Sequence, residues 1–217
     1  MKLLTALFLA AGMFPFVAAV FAAKAPDFTD SELELPVYRL LRDLHEFGVR
    51  NRMLNVPPRD GRMLQMLVLM NGATSALEVG TSDGVSAIWI ALGLSETGGR
   101  LTTLEIDSER AALARKHFEQ AGVSELVTLI EGDALEKLPA LEGEYDFVFL
   151  DAAKQQYKQY LEAVWNKLKP GAVIVAHNAI QQSHMMADYL EFVQNNPELS
   201  TVILNTGQDG IALSYRK

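Results

Sequence analysis

The chain has 217 residues, of which 49% are hydrophobic and 21% are charged, which is enough to bury the core of one globular domain. Its formal net charge at pH 7 is −8 and it carries no block of like charge, so no nucleic-acid-binding surface is expected. The chain contains no cysteine, which excludes disulfides, thiolate metal sites and a cysteine nucleophile.

The N-terminal segment differs in character from the rest of the chain. One lysine precedes an apolar stretch from Leu3 to Ala23, and a polar run follows. Residues 1–22 are predicted to be a secretory signal peptide, because Val20 and Ala22 supply small residues before a cleavage at Ala23. The stretch is also about long enough to span a bilayer, so a membrane anchor is the alternative. We therefore expect an exported, periplasmic or membrane-anchored protein, which touches a membrane only through this segment, and a cytoplasmic one if the segment is not used.

Residues 28–217 are predicted to form a single α/β domain. Two amphipathic helices come first, and apolar strands then alternate with helices up to a closing antiparallel pair of strands. This pattern predicts a doubly wound, mostly parallel sheet with helices on both faces. The predicted helices are 30–47, 57–73, 84–94, 108–122, 154–171 and 183–197, and the predicted strands are 75–80, 100–106, 126–130, 145–151, 172–176, 200–204 and 210–216.

Polar side chains end nearly every predicted strand. In a sheet of this kind, small molecules bind beyond the carboxyl ends of the strands, near the point where the strand order reverses. A single acid at such a position could merely cap the following helix. Because so many strands end this way, we expect a binding site along this edge, formed by Glu78, Gly80, Glu105, Asp133, Asp151, His177 and Asn178.

The first strand–helix turn, EVGTSDGVS, contains Gly80 and Gly84, which let the backbone come close to a ligand in front of a helix. It lacks the Gly-x-Gly-x-x-Gly spacing of a dinucleotide site, and a glycine turn alone is a weak signal. Glu105 ends the second strand, at the distance expected for an acid that binds both ribose hydroxyls. The two features together suggest a nucleoside-type cofactor, and S-adenosylmethionine fits.

Five segments in unbroken order carry a family resemblance: ALEVGTSDGVSAIWIAL, GGRLTTLEID, VTLIEGDALEKLP, YDFVFLDAAKQQYKQYL and LKPGAVIVAHN. Over residues 50–217 the chain resembles the S-adenosylmethionine-dependent O-methyltransferases of the catechol and caffeoyl-CoA type. The resemblance implies a class I methyltransferase sheet, Rossmann-like with a reversed last strand. It also implies methyl transfer to a hydroxyl of a small molecule, phenolic or catechol-like, and we expect a homodimer. The alternatives are a methyltransferase for nitrogen or sulfur acceptors and a non-catalytic relative that binds the cofactor.

The same resemblance assigns roles to individual residues. Asp151 stands at the position of a metal ligand that also lies close to the cofactor, and Lys154 stands where the catechol enzymes have the lysine that accepts the hydroxyl proton. The methionine end of the cofactor is expected at the Gly80–Gly84 turn. The residues expected to bind the cofactor are Glu78, Gly80, Thr81, Ser82, Gly84, Ser86, Glu105, Ile106, Asp133, Ala134 and Asp151.

One position departs from the family pattern. The family's other two metal ligands are an Asp-Asn pair, whereas this chain has His177 and Asn178. If Asp151, His177 and Asn178 hold a metal, Mg²⁺ should bind more weakly, and Mn²⁺, Fe²⁺ or Zn²⁺ should suit the set better. The alternative is that His177 has left metal binding and contacts only substrate or backbone; we favour the metal.

Three further residues carry smaller expectations. Met186 lies at helical spacing from other apolar residues and is expected in the core, whereas His45 and His117 are expected to be solvated. The loop after Asn178 differs from that of the family, so the identity of the acceptor cannot be carried over.

Overall fold

The computed structural model describes residues 27–217, except residues 52 and 208. The expected signal peptide or anchor at residues 1–22 lies outside the described residues. Within them, no helix combines the length and apolar character that crossing a membrane requires.

A seven-stranded sheet forms the centre of the fold, with the strand order β3-β2-β1-β4-β5-β7-β6. Strands β1 to β5 pair in parallel, whereas β7 runs antiparallel to both of its neighbours. The expected doubly wound sheet with a reversed last strand is therefore confirmed. The strands are β1 (Ser75–Val79), β2 (Arg100–Glu105), β3 (Val127–Glu131), β4 (Tyr145–Leu150), β5 (Leu168–His177), β6 (Leu199–Leu204) and β7 (Ile211–Arg216).

Eight α-helices surround the sheet in the described part of the chain. The predicted helix at 30–47 is divided in two, because Pro36 begins a new helix and cannot continue the preceding one. The helices are α1 (Asp30–Leu33), α2 (Pro36–Asn51), α3 (Pro58–Asn71), α4 (Val85–Thr97), α5 (Ser108–Ala121), α6 (Ala134–Lys137), α7 (Tyr157–Val164) and α8 (Ala187–Asn195).

The helix predicted at 154–171 is too long at both ends. Helix α7 ends at Val164, and Leu168 already belongs to β5. The guanidinium of Arg216 donates hydrogen bonds of 2.6 Å to the carbonyl oxygens of Trp165 and Leu168, so a residue of the last strand fixes this helix end. Such a long-range contact cannot be read from local helical periodicity.

The side chains of each central strand alternate between two hydrophobic cores. Phe147 and Phe149 pack on the side of α3 and α4, whereas Val148 and Leu150 pack on the side of α7 and α8. This alternation is expected for a strand that is covered on both faces.

Helix α3, which carries the buried residue Asp60, packs closely against α4. A Cβ atom at Gly61 would lie 2.3 Å from the ring of Trp89, so only glycine permits the approach. Residues 60, 64 and 68 share the buried face of α3, where Leu64 and Val68 belong to the core. The remaining member of that face is a carboxylate, Asp60, at the N-terminal end of the helix.

Candidate active site

A cleft of about 750 Å³ opens at the carboxyl ends of the central strands. The strand order reverses between β1 and β4, so the cleft lies at the topological switch point of the sheet. The predicted site residues that line it are Gly80, Thr81, Ser82, Ser86, Glu105, Ile106, Asp133, Ala134, Asp151, Lys154, His177 and Asn178.

Two residues that were expected to bind the cofactor, Glu78 and Gly84, do not line the cleft. Glu78 is fully buried and accepts a hydrogen bond of 2.5 Å from the hydroxyl of Thr103. Burial raises the pKa of Glu78 to about 7, although the hydroxyls of Ser86 and Thr103 act to lower it. Gly84 begins α4 with a φ of 93°, and a Cβ there would lie 2.7 Å from Phe118. Both residues therefore shape the turn from behind the cleft.

Glu105 holds the ends of two strands together. One carboxylate oxygen accepts a hydrogen bond of 2.6 Å from the backbone N–H of Ser82, and the other accepts one of 3.0 Å from the N–H of Asp107. Each carboxylate oxygen can accept more than one hydrogen bond. Glu105 can therefore position the glycine turn and still accept from two ribose hydroxyls.

The far end of the cleft is bordered by Asp133, Ala134 and Ile106. Asp133 caps α6 by accepting a hydrogen bond of 2.8 Å from the N–H of Leu135. It therefore has the helix-capping role that an acid at a strand end can also serve. The side chain of Ile106 is 72% exposed beside the cleft, which leaves an apolar surface uncovered where a flat ring could pack.

Lys154 is buried and makes two short contacts in the described structure. Its Nζ donates to Asp151 Oδ1 at 2.6 Å and to the hydroxyl oxygen of Tyr157 at 2.7 Å. Burial, and then the charge of Asp151, raise the pKa of Tyr157 well above its usual value. Tyr157 therefore stays a neutral hydroxyl that fixes the position of the lysine nitrogen.

His177 lies between two carboxylates. Its Nε2 is 3.0 Å from Asp60 Oδ2, and its Nδ1 is 3.3 Å from Asp151 Oδ2. In the absence of a metal ion, burial acts to lower the pKa of His177, but Asp151 and Asp60 outweigh it and raise this pKa to about 9. Burial likewise acts to raise the pKa of Asp151, but His177 and Lys154 lower it to about 2. A metal ion that binds the ring must therefore displace a proton.

Only one of these two contacts of His177 is a hydrogen bond. The contact of Nε2 with Asp60 is a hydrogen bond, whereas the buried Nδ1, 3.3 Å from Asp151 Oδ2, makes none. Two ligand atoms bound to one ion at about 2.1 Å lie roughly 3 Å apart, which agrees with the distance between Nδ1 and Asp151 Oδ2. The spacing of this pair is therefore compatible with a divalent ion bound by both atoms.

Asn178 completes the set that was expected to hold a metal. It has a left-handed backbone conformation with a φ of 61°, and its amide nitrogen donates to Asp209 Oδ1 at 3.1 Å. This leaves the amide oxygen as the atom available to an ion. The donor atoms of Asp60, His177 and Asp209 also lie within 4.8 Å of one another, which offers a second arrangement through Nε2 of the same ring.

Comparisons with known proteins agree with this fold. The profile of a family described as O-methyltransferase matches residues 32–214. The chain belongs to the O-methyltransferase family. Its members use S-adenosylmethionine, and a solved O-methyltransferase from Bacillus cereus in complex with SAH superposes with a TM-score of 0.76 at 30% identity. That superposition covers 82% of this chain and 91% of the B. cereus chain.

Two relatives are catechol O-methyltransferases. The protein from Niastella koreensis is 37% identical over 137 residues, which cover 61% of this chain and 62% of that protein. This chain therefore spans less than two thirds of the N. koreensis protein. The protein from Mycobacterium tuberculosis is 33% identical over 175 residues, covering 73% of this chain and 79% of that protein.

In this member of the O-methyltransferase family, sequence reasoning missed Asp60, which is 117 residues before His177 in the chain. A signal was present, since a carboxylate heads the stripe formed by Asp60, Leu64 and Val68, where the helical period predicts burial. It also missed Asp209, which precedes the last strand in a short polar loop that carries no comparable signal.

His117 is a correction, because the expected solvated histidine is buried. Its Nδ1 lies 2.7 Å from the backbone oxygen of Asp83, whose carboxylate accepts a hydrogen bond of 3.1 Å from Asn55. These hydrogen bonds of His117 and Asn55 to Asp83 stabilise the glycine turn from the side of α5. Met186 is fully buried, as expected, whereas its neighbour Met185 lines the cleft.

Proposed function

We propose that this protein transfers the methyl group of S-adenosylmethionine to a phenolic or catechol-like hydroxyl of a small molecule. The observation that carries the proposal is the placement of Lys154 and Asp151 in the cleft that also contains Glu105 and the glycine turn. Membership in the O-methyltransferase family supports the reaction type. The two catechol O-methyltransferase relatives support the class of acceptor.

A phenolic hydroxyl with a pKa of about 10 is a poor nucleophile at neutral pH, so the site must help to remove its proton. To act as the base, the Lys154 ammonium that pairs with Asp151 must first lose a proton to solvent. The neutral amine then keeps two N–H bonds, which can point to the two partners it has in the structure, Asp151 and Tyr157. Its lone pair is then left for the acceptor proton. The oxygen attacks the methyl carbon as the carbon–sulfur bond breaks, and the resulting ammonium is stabilised by the carboxylate of Asp151.

Alignment of oxygen, carbon and sulfur is the other requirement of this displacement. Gly80 follows β1 with a φ of 101°, and a Cβ there would lie 2.5 Å from the carbonyl oxygen of Asp151. The absence of a side chain thus lets the cofactor-binding turn touch the strand end that carries Asp151 and leads to Lys154. This contact supports the proposal that methyl donor and base meet at one point.

We also propose that Asp151, His177 and Asn178 hold a divalent cation. A cation bound there would stabilise negative charge that develops on the acceptor oxygen. Because an imidazole nitrogen replaces one carboxylate oxygen, the set favours Mn²⁺, Fe²⁺ or Zn²⁺ over Mg²⁺.

The reaction is tested with purified protein, S-adenosylmethionine labelled in the methyl group, and a panel of catechols, amines and thiols. We expect label in catechols, and we expect Lys154→Met to lower kcat by about 10²- to 10⁴-fold without changing cofactor affinity. Lys158→Met is the matched control, since Lys158 lies one helical turn further on and pairs with Glu162 at the surface. Transfer only to amines or thiols, or normal turnover by Lys154→Met, would contradict the proposal.

Cofactor affinity should depend on Glu105. Glu105→Ala removes the proposed acceptor of two hydroxyl hydrogen bonds, each worth roughly 1.5–3 kcal/mol before compensation, and also frees the N–H of Ser82. Titration calorimetry should show that S-adenosylmethionine binds at least about tenfold more weakly. Glu131→Ala is the control, because Glu131 ends the adjacent strand but pairs with Arg115 outside the cleft. Equal affinities for parent and Glu105→Ala would rule out the ribose assignment.

Metal dependence can be read from chelator-treated enzyme titrated with Mg²⁺, Mn²⁺ and Zn²⁺. The parent should regain more methyl transfer with Mn²⁺ or Zn²⁺ than with Mg²⁺. His177→Asp should shift this preference towards Mg²⁺, because a hard oxygen anion replaces a borderline nitrogen. Full activity of the metal-free parent would show that His177 does not serve a metal.

We infer that residues 1–22 direct export and are then removed, on the strength of the apolar stretch and the small residues before Ala23. Mass spectrometry of protein from its own host should give a chain that begins at Ala23. An intact N-terminus in a membrane fraction would favour the anchor instead, and an intact N-terminus in a cytoplasmic fraction would contradict export.

A further inference from the structure

Asp60 reaches the active site from outside the strand ends. It lies in the first turn of α3, and its side chain is almost fully buried. Its Oδ2 is 3.0 Å from Nε2 of His177 and also accepts a hydrogen bond of 3.2 Å from the hydroxyl of Thr206. Nε of Arg59 lies 3.7 Å from the other carboxylate oxygen. Neither the reaction nor the cofactor site described above uses this carboxylate.

The contact with Asp60 decides which ring nitrogen of His177 can bind a metal. A neutral imidazole carries one N–H, and a nitrogen that faces a carboxylate oxygen at 3.0 Å must be the one that carries the proton. Nε2 is therefore the donor, and Nδ1 has the lone pair. Nδ1 is the buried nitrogen without a hydrogen bond, and it faces Asp151.

We propose that Asp60 is a positioning residue that fixes His177 as the Nε2–H tautomer and so creates a metal ligand at Nδ1. This inference rests on the metal proposed above. A carboxylate behind a ligating histidine orients the ring and increases the basicity of the metal-binding nitrogen. Neutral His177 and ionised Asp60 together carry one negative charge, as the family's aspartate would at position 177. The negative charge of that aspartate is retained, but it lies behind the imidazole ring and therefore further from the ion.

Two other arrangements use the same side chains. Asp60, His177 and Asp209 could bind an ion directly through Nε2, which makes Asp60 a ligand. Alternatively, the ring could stay doubly protonated between Asp60 and Asp151, so that no metal binds. The three arrangements differ in which substitutions change the coordination of the ion, and this can be measured without substrate.

The experiment uses full-length, chelator-stripped protein, with Mn²⁺ affinity measured by calorimetry and the ligand set by the absorption spectrum of bound Co²⁺. Asp60→Asn keeps an acceptor oxygen for Nε2–H but loses the charge. We expect it to weaken Mn²⁺ binding by about 10- to 100-fold while the Co²⁺ bands stay in place. Asp151→Asn should change the bands, because it alters a ligand. Asp188→Asn, in the first turn of α8, should behave like the parent.

Three results would overturn the inference. If Asp60→Asn shifts the Co²⁺ bands and Asp151→Asn does not, Asp60 is itself a ligand. If Asp60→Asn binds Mn²⁺ as tightly as the parent, Asp60 does not position the ring. If the parent binds neither ion, the metal proposal fails, whereas the methyl-transfer assay still tests the reaction independently.

Nitrogen NMR of the Zn²⁺-loaded parent tests the tautomer without any substitution, in case Asp60→Asn does not fold. We expect His177 to carry its proton on Nε2, with Nδ1 bound to the ion. His117, which is buried with Nδ1 against a backbone oxygen, provides an internal reference for a histidine away from the cleft. A proton on Nδ1 of His177 would contradict the proposal.

Discussion

The carboxylate of Asp151 is the group on which the active site depends. It follows β4 and its side chain is only 13% exposed, so an isolated negative charge there would be costly; Lys154 lies against one of its oxygens and His177 against the other. Both partners are also the groups proposed for proton transfer and metal binding. The neutralisation of one buried charge therefore places the base and the metal ligand around a single point.

The backbone makes this arrangement possible. Parallel strands bring their carboxyl ends to one edge, and the reversal of strand order between β1 and β4 opens the cleft there. Gly80 then allows the two strand ends to touch, and Glu105 ties the intervening turn to β2. The proposed cofactor and acceptor halves of the site are thus joined by backbone contacts as well as by side chains.

The sequence was informative wherever the signal was local. Alternating apolar segments predicted the sheet, and polar residues at strand ends predicted the cleft that includes Glu105 and Asp151. Lys154 was expected there only because of the family resemblance. The same reasoning could not separate residues that touch a ligand from those that support the turn, because Glu78 and Gly84 belong to the same motif and differ only in orientation. Contacts across long chain separations were not predicted, as Arg216 at the end of α7 illustrates.

His177 is a position at which the sequence alone left two interpretations open. Seen alone, it is the loss of a carboxylate from a metal set, and both a changed metal and no metal remained reasonable. The structure adds Asp60. Its burial on α3 could be predicted from the helical period, but its contact with His177 could not. Burying this carboxylate is destabilising unless donors meet it, and the ring nitrogen of His177 and the hydroxyl of Thr206 are such donors. In the proposed metal site, Asp60 and His177 would act as one unit that supplies a nitrogen ligand and preserves the charge of the oxygen ligand it replaces.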